Sequence, residues 1–226
     1  MQSISVIIPV LNEQERINGL INHLQQREVA AEIIVVDGNP VASTIAVITD
    51  PAIIKLTAPK GRGYQLAAGA SRATGDLLLM LHADTLLPDN AFHSILTAID
   101  QGAAWGAFRL GIDAPDLSYR IIERMVDLRC KLFTLPYGDQ AIFVTRTALH
   151  EIGGIPAIPL MEDVELSRNL HRSGSRFILL SERVATSPRR WQKDGIIRRT
   201  LCNWWLLLSY LLGNDPHKLE KLYRSI

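Results

Sequence analysis

The chain has 226 residues, with 24 Lys and Arg against 23 Asp and Glu and a formal net charge of +1. Hydrophobic residues make up 47% and charged residues 21%, which suits a filled core and excludes a disordered chain. The balanced charge excludes bulk attraction to nucleic acid, and the length fits one large domain or a domain with an appendage.

Cys130 and Cys202 stand far apart without metal-ligand spacing, as expected of reduced thiols in a cytoplasmic protein. The first residues lack the basic flank and cleavage site of a signal peptide.

In chain order, residues 3–10 are apolar and β-branched and predict a first strand. Asn12-Glu13-Gln14-Glu15 predicts a helix start, with Asn12 as cap and Glu15 completing a variant capping box. Ile17, Leu20, Ile21 and Leu24 form that helix's apolar face. Residues 32–36 and 52–56 predict two more strands, stopped by Asp37-Gly38 and by Pro59-Lys60-Gly61-Arg62-Gly63. A helix over 65–73 leads into the run Leu77-Leu78-Leu79-Met80-Leu81. That run, bounded by turn residues, predicts a strand buried on both faces and ending in His82-Ala83-Asp84.

The second half is less regular. Strands are expected over 104–110, 140–145 and 176–180, and helices over 116–132, 162–172 and 195–212, followed by a short one restarting at Pro216. Alternating strands and helices predict an α/β fold with a mostly parallel, Rossmann-like central sheet, helices on both faces and a C-terminal helical extension. The apolar stretch over 201–212 falls short of the roughly 20 residues that span a bilayer. It could rest on a membrane, line an acceptor site or close a homodimer.

Three polar clusters fall at successive strand ends: Pro9-Val10-Leu11-Asn12-Glu13, Asp37-Gly38 and His82-Ala83-Asp84. Open α/β sheets bind ligands at that edge, where carboxylates can read a base or ribose or hold a hard cation against a diphosphate. Gly61-Arg62-Gly63 lacks the spacing of a P-loop or a dinucleotide fingerprint. It is either a flexible basic turn or a loop approaching phosphate. Glu162-Asp163 at a helix start suits the helix dipole, and equally suits a general base for an attacking hydroxyl. Ser187-Pro188-Arg189-Arg190-Trp191 heads the densest basic stretch, able to place a guanidinium beside a leaving diphosphate and an aromatic face beside a sugar. His23, His93, His150, His171 and His217 show no ligand spacing.

In this order and spacing, Val6 to Glu13, Val35-Val36-Asp37-Gly38, Lys60 to Gly63, Leu81 to Asp84, Glu162-Asp163 and Arg190-Trp191 resemble the motifs of family-2 glycosyltransferases with the GT-A fold. The resemblance covers about residues 3–192. It implies a glycosyltransferase domain over 1–192, with a nucleotide-binding half to about residue 100 and an acceptor half beyond, and an extension over 193–226. The Pro-Lys-Gly-Arg-Gly and Leu-His-Ala-Asp-Thr wording is similar to a small bacterial subgroup linked by gene context to radical-SAM proteins and arsenosugar biosynthesis.

The resemblance implies that Pro9, Val10, Asn12, Glu13 and Asp37 line base and ribose, and that Gly61, Arg62, Gln65, His82 and Ala83 stand near the nucleotide. Asp84 would hold Mg²⁺ or Mn²⁺ on a nucleotide-diphosphate sugar. UDP is the default base, and GDP is not excluded. Asp163 would be the base of an inverting transfer, with Glu162 beside it and Arg190 screening the leaving group. Gly138, Asp139, Gln140 and Trp191 would face a small-molecule or lipid-linked acceptor. His82 departs from the family pattern by replacing the first Asp of Asp-x-Asp, and Ser187 stands where a Gln would precede Arg-Trp. Two further readings stand beside this one: a nucleotidyltransferase, and a non-catalytic nucleotide-sugar-binding protein.

Overall fold

A computed structural model describes residues 2–27 and 29–225, with the backbone only for Arg190, Arg224 and Ser225. The strands are β1 (Ile4–Val10), β2 (Ala31–Asp37), β3 (Ile54–Thr57), β4 (Leu77–Met80), β5 (Thr85–Leu86), β6 (Trp105–Ile112), β7 (Phe143–Thr145) and β8 (Phe177–Thr186). The helices are α1 (Ile17–Gln25), α2 (Arg62–Arg72), α3 (Ala91–Asp100), α4 (Leu117–Phe133), α5 (Arg146–Glu151), α6 (Glu162–Arg172), α7 (Arg189–Asp194), α8 (Ile196–Leu211) and α9 (Pro216–Ser225).

The strands form one mixed sheet in the order β3-β2-β1-β4-β7-β6-β8-β5. The expected parallel pattern holds for β3, β2, β1 and β4. Beyond β4 it changes, because β7 runs antiparallel to both β4 and β6, and β5 runs antiparallel to β8. Strand β1 is buried along its whole length. Its alternate residues Val6, Ile8 and Val10 join a core with α1 and α3, while Ile7 joins one with α2 and α6. Burial on both faces is why β1 is a continuous apolar run rather than an alternating one. Pro9 has no N–H to donate, and the β1–β4 ladder stops there, with Ile7↔Met80 as its last pair and Leu81 N donating to Ile7 O at 3.0 Å.

Several boundaries differ from the sequence reading. Helix α1 begins at Ile17, not at Asn12: Asn12 is left-handed (φ 59°), and the chain makes a turn through Glu13 before Arg16. Helix α2 starts at Arg62, three residues earlier than expected, so Arg62 is the first residue of a helix rather than part of a loop. Strand β8 runs ten residues, because its polar second half pairs with both β6 and β5. Helices α3 and α5 were not anticipated. Helix α6 begins at Glu162 as expected.

Candidate functional site

At the carboxyl edge of β1 and β2 the polar groups expected to meet a ligand are largely tied to backbone. Asp37 is fully buried. Its Oδ1 accepts from Asn39 N at 2.8 Å, and its Oδ2 accepts from Thr44 N at 2.8 Å and Ile45 N at 3.3 Å. Its position at the strand end is as expected, but its visible work is to brace the loop over 38–45. Gln65, expected near the nucleotide, is also buried. Its Nε2 donates to Val10 O and Val36 O, both at 2.8 Å, joining the ends of β1 and β2 beneath the edge. Asn12 is exposed, and its Oδ1 accepts from Asn39 Nδ2 at 2.6 Å. Glu13 N donates to the Thr44 hydroxyl at 3.1 Å, and this fastens the loop after β1 to the loop after β2. Pro9 and Val10 are core residues, and Ala83 is half-buried against the same core.

An open cleft starts beyond the end of β4 and is lined among others by Arg62, His82, Asp84, Gly138, Asp139 and Asp163; none of Pro9, Val10, Asn12, Glu13, Asp37 and Gln65 lines it. Segments distant in sequence build it. Gly63 admits the chain over 156–158 against the start of α2, since a Cβ there would lie 2.3 Å from Ile158 O. That approach sets Glu162 near Arg62, with Arg62 Nε 3.8 Å from Glu162 Oε1. Arg62 Nη1 lies 3.3 Å from His82 Nε2; the guanidinium only donates, so this contact needs that ring nitrogen unprotonated.

Glu162 is buried, and its pKa is pushed up to about 7. Burial is the largest cause and the neighbouring Asp163 adds to it, while Arg62 opposes both. Burial works against the Arg62 charge as well, yet Glu162, then Tyr223 and Asp163, hold its pKa above the usual arginine range.

Asp163 is placed differently. It sits in the acidic first turn of α6, only half-buried. Its Oδ2 accepts from Gly138 N at 2.8 Å and its Oδ1 from Val164 N at 2.8 Å. A Cβ on Gly138 would lie 2.8 Å from His82 Nε2, so a side chain there would push the imidazole aside. Gly138 and Asp139 line the cleft, whereas Gln140 does not. Gln140 is fully buried, with Nε2 donating to Phe108 O at 3.0 Å and Oε1 accepting from Arg129 Nη2 at 3.0 Å and Tyr137 N at 3.1 Å. It holds the 138–140 turn in place instead of facing an acceptor.

Asp84 faces the cleft from the turn after β4. The pairing of Thr85 with Thr186 brings the end of β8 alongside, and Ser187 N donates to Asp84 O at 3.1 Å. Arg189 follows, with Nη2 3.5 Å from both Asp84 Oδ2 and Glu13 Oε1. The sequence reading missed this role of Arg189 because no local pattern links residues 13, 84 and 189. Arg190 lies on α7, and its side chain is outside the described residues. Trp191 lines the cleft with its ring edge-on to Tyr119, at 6.3 Å between centroids.

Also missed was Tyr137, which lies under the Arg129 guanidinium at 3.4 Å. Helix α8, which the sequence offered as one candidate lining of an acceptor site, supplies Arg199, Asn203 and Leu206 to a cleft wall to which Tyr223 of α9 adds. The near-helical spacing of Arg199, Asn203 and Leu206 was the available signal for the α8 part of that wall.

Among the described residues, no three His, Cys, Asp or Glu gather into a metal site. One cleft-facing carboxylate fits a hard cation that takes its other oxygen ligands from a diphosphate and water. Asp84 would supply that ligand.

A mixed α/β sheet with its polar cleft at the strand ends is the architecture of a GT-A glycosyltransferase. The Glycosyl transferase family 2 model matches residues 5–155, well over half of the chain, and the chain belongs to that family. The match ends before Glu162, so α6 to α9 lie beyond it.

A 4,4'-diaponeurosporenoate glycosyltransferase from Staphylococcus haemolyticus is 34% identical over 116 residues, covering 48% of this chain and 30% of that protein. A mannosyltransferase from Pyrobaculum calidifontis, solved with GDP-Man and Mn²⁺, superposes with a TM-score of 0.73 at 19% identity, over 95% of this chain and 66% of that one. S. aureus TarS 1–349 with UDP-GlcNAc gives a TM-score of 0.63 at 17% identity, over 82% of this chain and 58% of that one. The chain thus spans less than two thirds of each of these relatives. The two structural likenesses are likenesses of fold.

Proposed function

We propose that the chain transfers a sugar, with inversion, from a nucleotide-diphosphate sugar to an acceptor hydroxyl, and that Asp163 is the general base. The observation that carries this reading is that Asp163 and Asp84 line one cleft, with Asp163 oriented by the Gly138 N–H. The donor lies across the ends of β1, β2 and β4 with its diphosphate toward Asp84. Asp163 takes the acceptor's hydroxyl proton as that oxygen bonds to the anomeric carbon, and the bond from that carbon to the diphosphate oxygen breaks from the opposite face. A divalent cation at Asp84, Mg²⁺ or Mn²⁺, would offset charge on the leaving group. Arg190 and Trp191 stand beside the departing diphosphate and the sugar in this reading.

Glu162 is the weaker choice of base because it is buried against Arg62, whereas Asp163 is open to the cleft. UDP is the proposed donor base, and the GDP-Man complex of a structural neighbour makes GDP the comparison to run. Membership of the arsenosugar-associated subgroup rests on the Pro-Lys-Gly-Arg-Gly and Leu-His-Ala-Asp-Thr wording alone. The division at residue 192 is likewise a proposal, in which the extension supplies one wall of the site.

Asp163→Asn is the deciding substitution. Nucleotide-sugar binding, followed by calorimetry, should persist while transfer falls by about 10²- to 10⁴-fold. Unchanged turnover removes Asp163 from the role.

A further inference from the structure

Two helices carry apolar rows that nothing among the described residues covers. On α4, Leu117, Ile121, Met125, Leu128 and Leu132 recur at helical spacing and are 42–80% exposed. On α8, Ile197, Leu201, Trp204, Leu208 and Leu211 do the same at 47–75% exposure. Scattered exposed leucines need no explanation, but two continuous helical rows do. The other face of each helix is occupied. Tyr119, Ile122 and Val126 of α4 pack with Trp191 and Ile196 around Leu110 and Ile112. Arg199, Asn203 and Leu206 of α8 line the cleft. Helix α8 therefore separates the candidate active site from an apolar exterior.

Charge identifies what that exterior meets. Residues 189–226 hold eight Lys and Arg against three Asp and Glu, in a chain whose net charge is only +1. Lys193, Arg198, Lys218 and Lys221 are exposed on α7, α8 and α9. A helix with an aliphatic and tryptophan face beside lysine and arginine is suited to the interface of an anionic bilayer, where the apolar row enters the headgroup boundary and the cations meet phosphate. A second copy of the chain is a poorer occupant, since a two-fold contact would set this basic surface against itself. Nucleic acid would leave the aliphatic rows uncovered. No helix among the described residues is long and apolar enough to cross a membrane, so the contact is with its surface.

We propose that α4 and α8 seat the protein on the surface of an anionic lipid bilayer. The acceptor is then a hydroxyl carried by a lipid held beside the α8 wall of the cleft; this second statement rests on the transferase reading.

The test is flotation of the full chain, without donor or metal, on vesicles of phosphatidylcholine alone or mixed with phosphatidylglycerol. The protein should float with the mixed vesicles, less so at high salt, and brominated lipid should quench emission that is lost in Trp204→Leu. The paired variants Leu201→Ser/Leu208→Ser and Ile121→Ser/Leu128→Ser alter exposed positions, so thermal melting should show them folded. Each should lower partitioning by about tenfold or more.

Absence of flotation overturns the proposal, as does flotation that neither pair reduces. A stable dimer without vesicle binding, dissociated by the α8 pair in sedimentation velocity, assigns the row to a second copy instead. Asp163→Asn should float like the wild type, so a failure of the transferase reading is distinguishable from a failure of this one.

Discussion

Two buried carboxylates, Asp37 at the end of β2 and Glu162 at the start of α6, are held in opposite ways. Asp37 has three backbone N–H donors within 3.3 Å. Glu162 has a guanidinium at 3.8 Å, an acidic neighbour and a pKa raised to about 7. Oriented backbone dipoles can hold a buried anion because they are fixed by the fold and carry no competing titration. A side-chain ion pair offsets burial only where its geometry is good. Both Asp37 oxygens are thus held by backbone donors. The start of α6 keeps a carboxyl close to its titration point beside the candidate base.

The hardest way to break this contrast is Asp37→Ala, which strands the Asn39, Thr44 and Ile45 N–H groups. It should cost about 3–5 kcal/mol in urea unfolding, with the binding edge losing its loop. A loss near zero would mean that water serves these donors.

Glu162 should show itself through pH. Its ordinary pKa is 4.5 and its folded value about 7, so the folded protein binds the extra proton between those limits. The stability from the protonated group is complete below about 4.5 and is lost as pH rises through about 7, amounting to roughly 3 kcal/mol. Glu162→Gln should remove that slope, as read from urea midpoints on either side of the window. A slope that survives the substitution would place the titration elsewhere.

Gly138→Ala sharpens the comparison beside Asp163. The added methyl crowds His82 and shifts the N–H that orients Asp163, so transfer should fall about 10- to 100-fold while the melting temperature changes little. The smallest effect is expected from Arg189→Ala. Its two contacts at 3.5 Å are half-exposed, so stability should change by less than about 1 kcal/mol. Mn²⁺ binding measured by spin resonance should tighten a few-fold, since Asp84 no longer has a resident cation for the metal to displace.

The sequence was legible wherever a pattern is local. The apolar runs of β1, β2 and β4 and the start of α6 at Glu162 follow from periodicity and turn residues, and the strand-end clusters follow from them. Asn12 misled because its side chain found Asn39 rather than the helix it precedes. Gln65 and Gln140 misled because a polar residue near a motif reads the same whether it faces ligand or pins backbone. Only burial separates the two, and both are buried.

What the sequence determined by itself is the family, the parallel first half of the sheet and the presence of Asp84 and Asp163 at element ends. Only the tertiary structure decided which polar groups remain free to act. The crossing of β8 beside β5 put Arg189 on Asp84, the approach of residues 156–158 to α2 put Arg62 beside Glu162, and the packing of α8 closed the cleft. Each of these is a contact between segments far apart in the chain, and local periodicity carries no record of such partners.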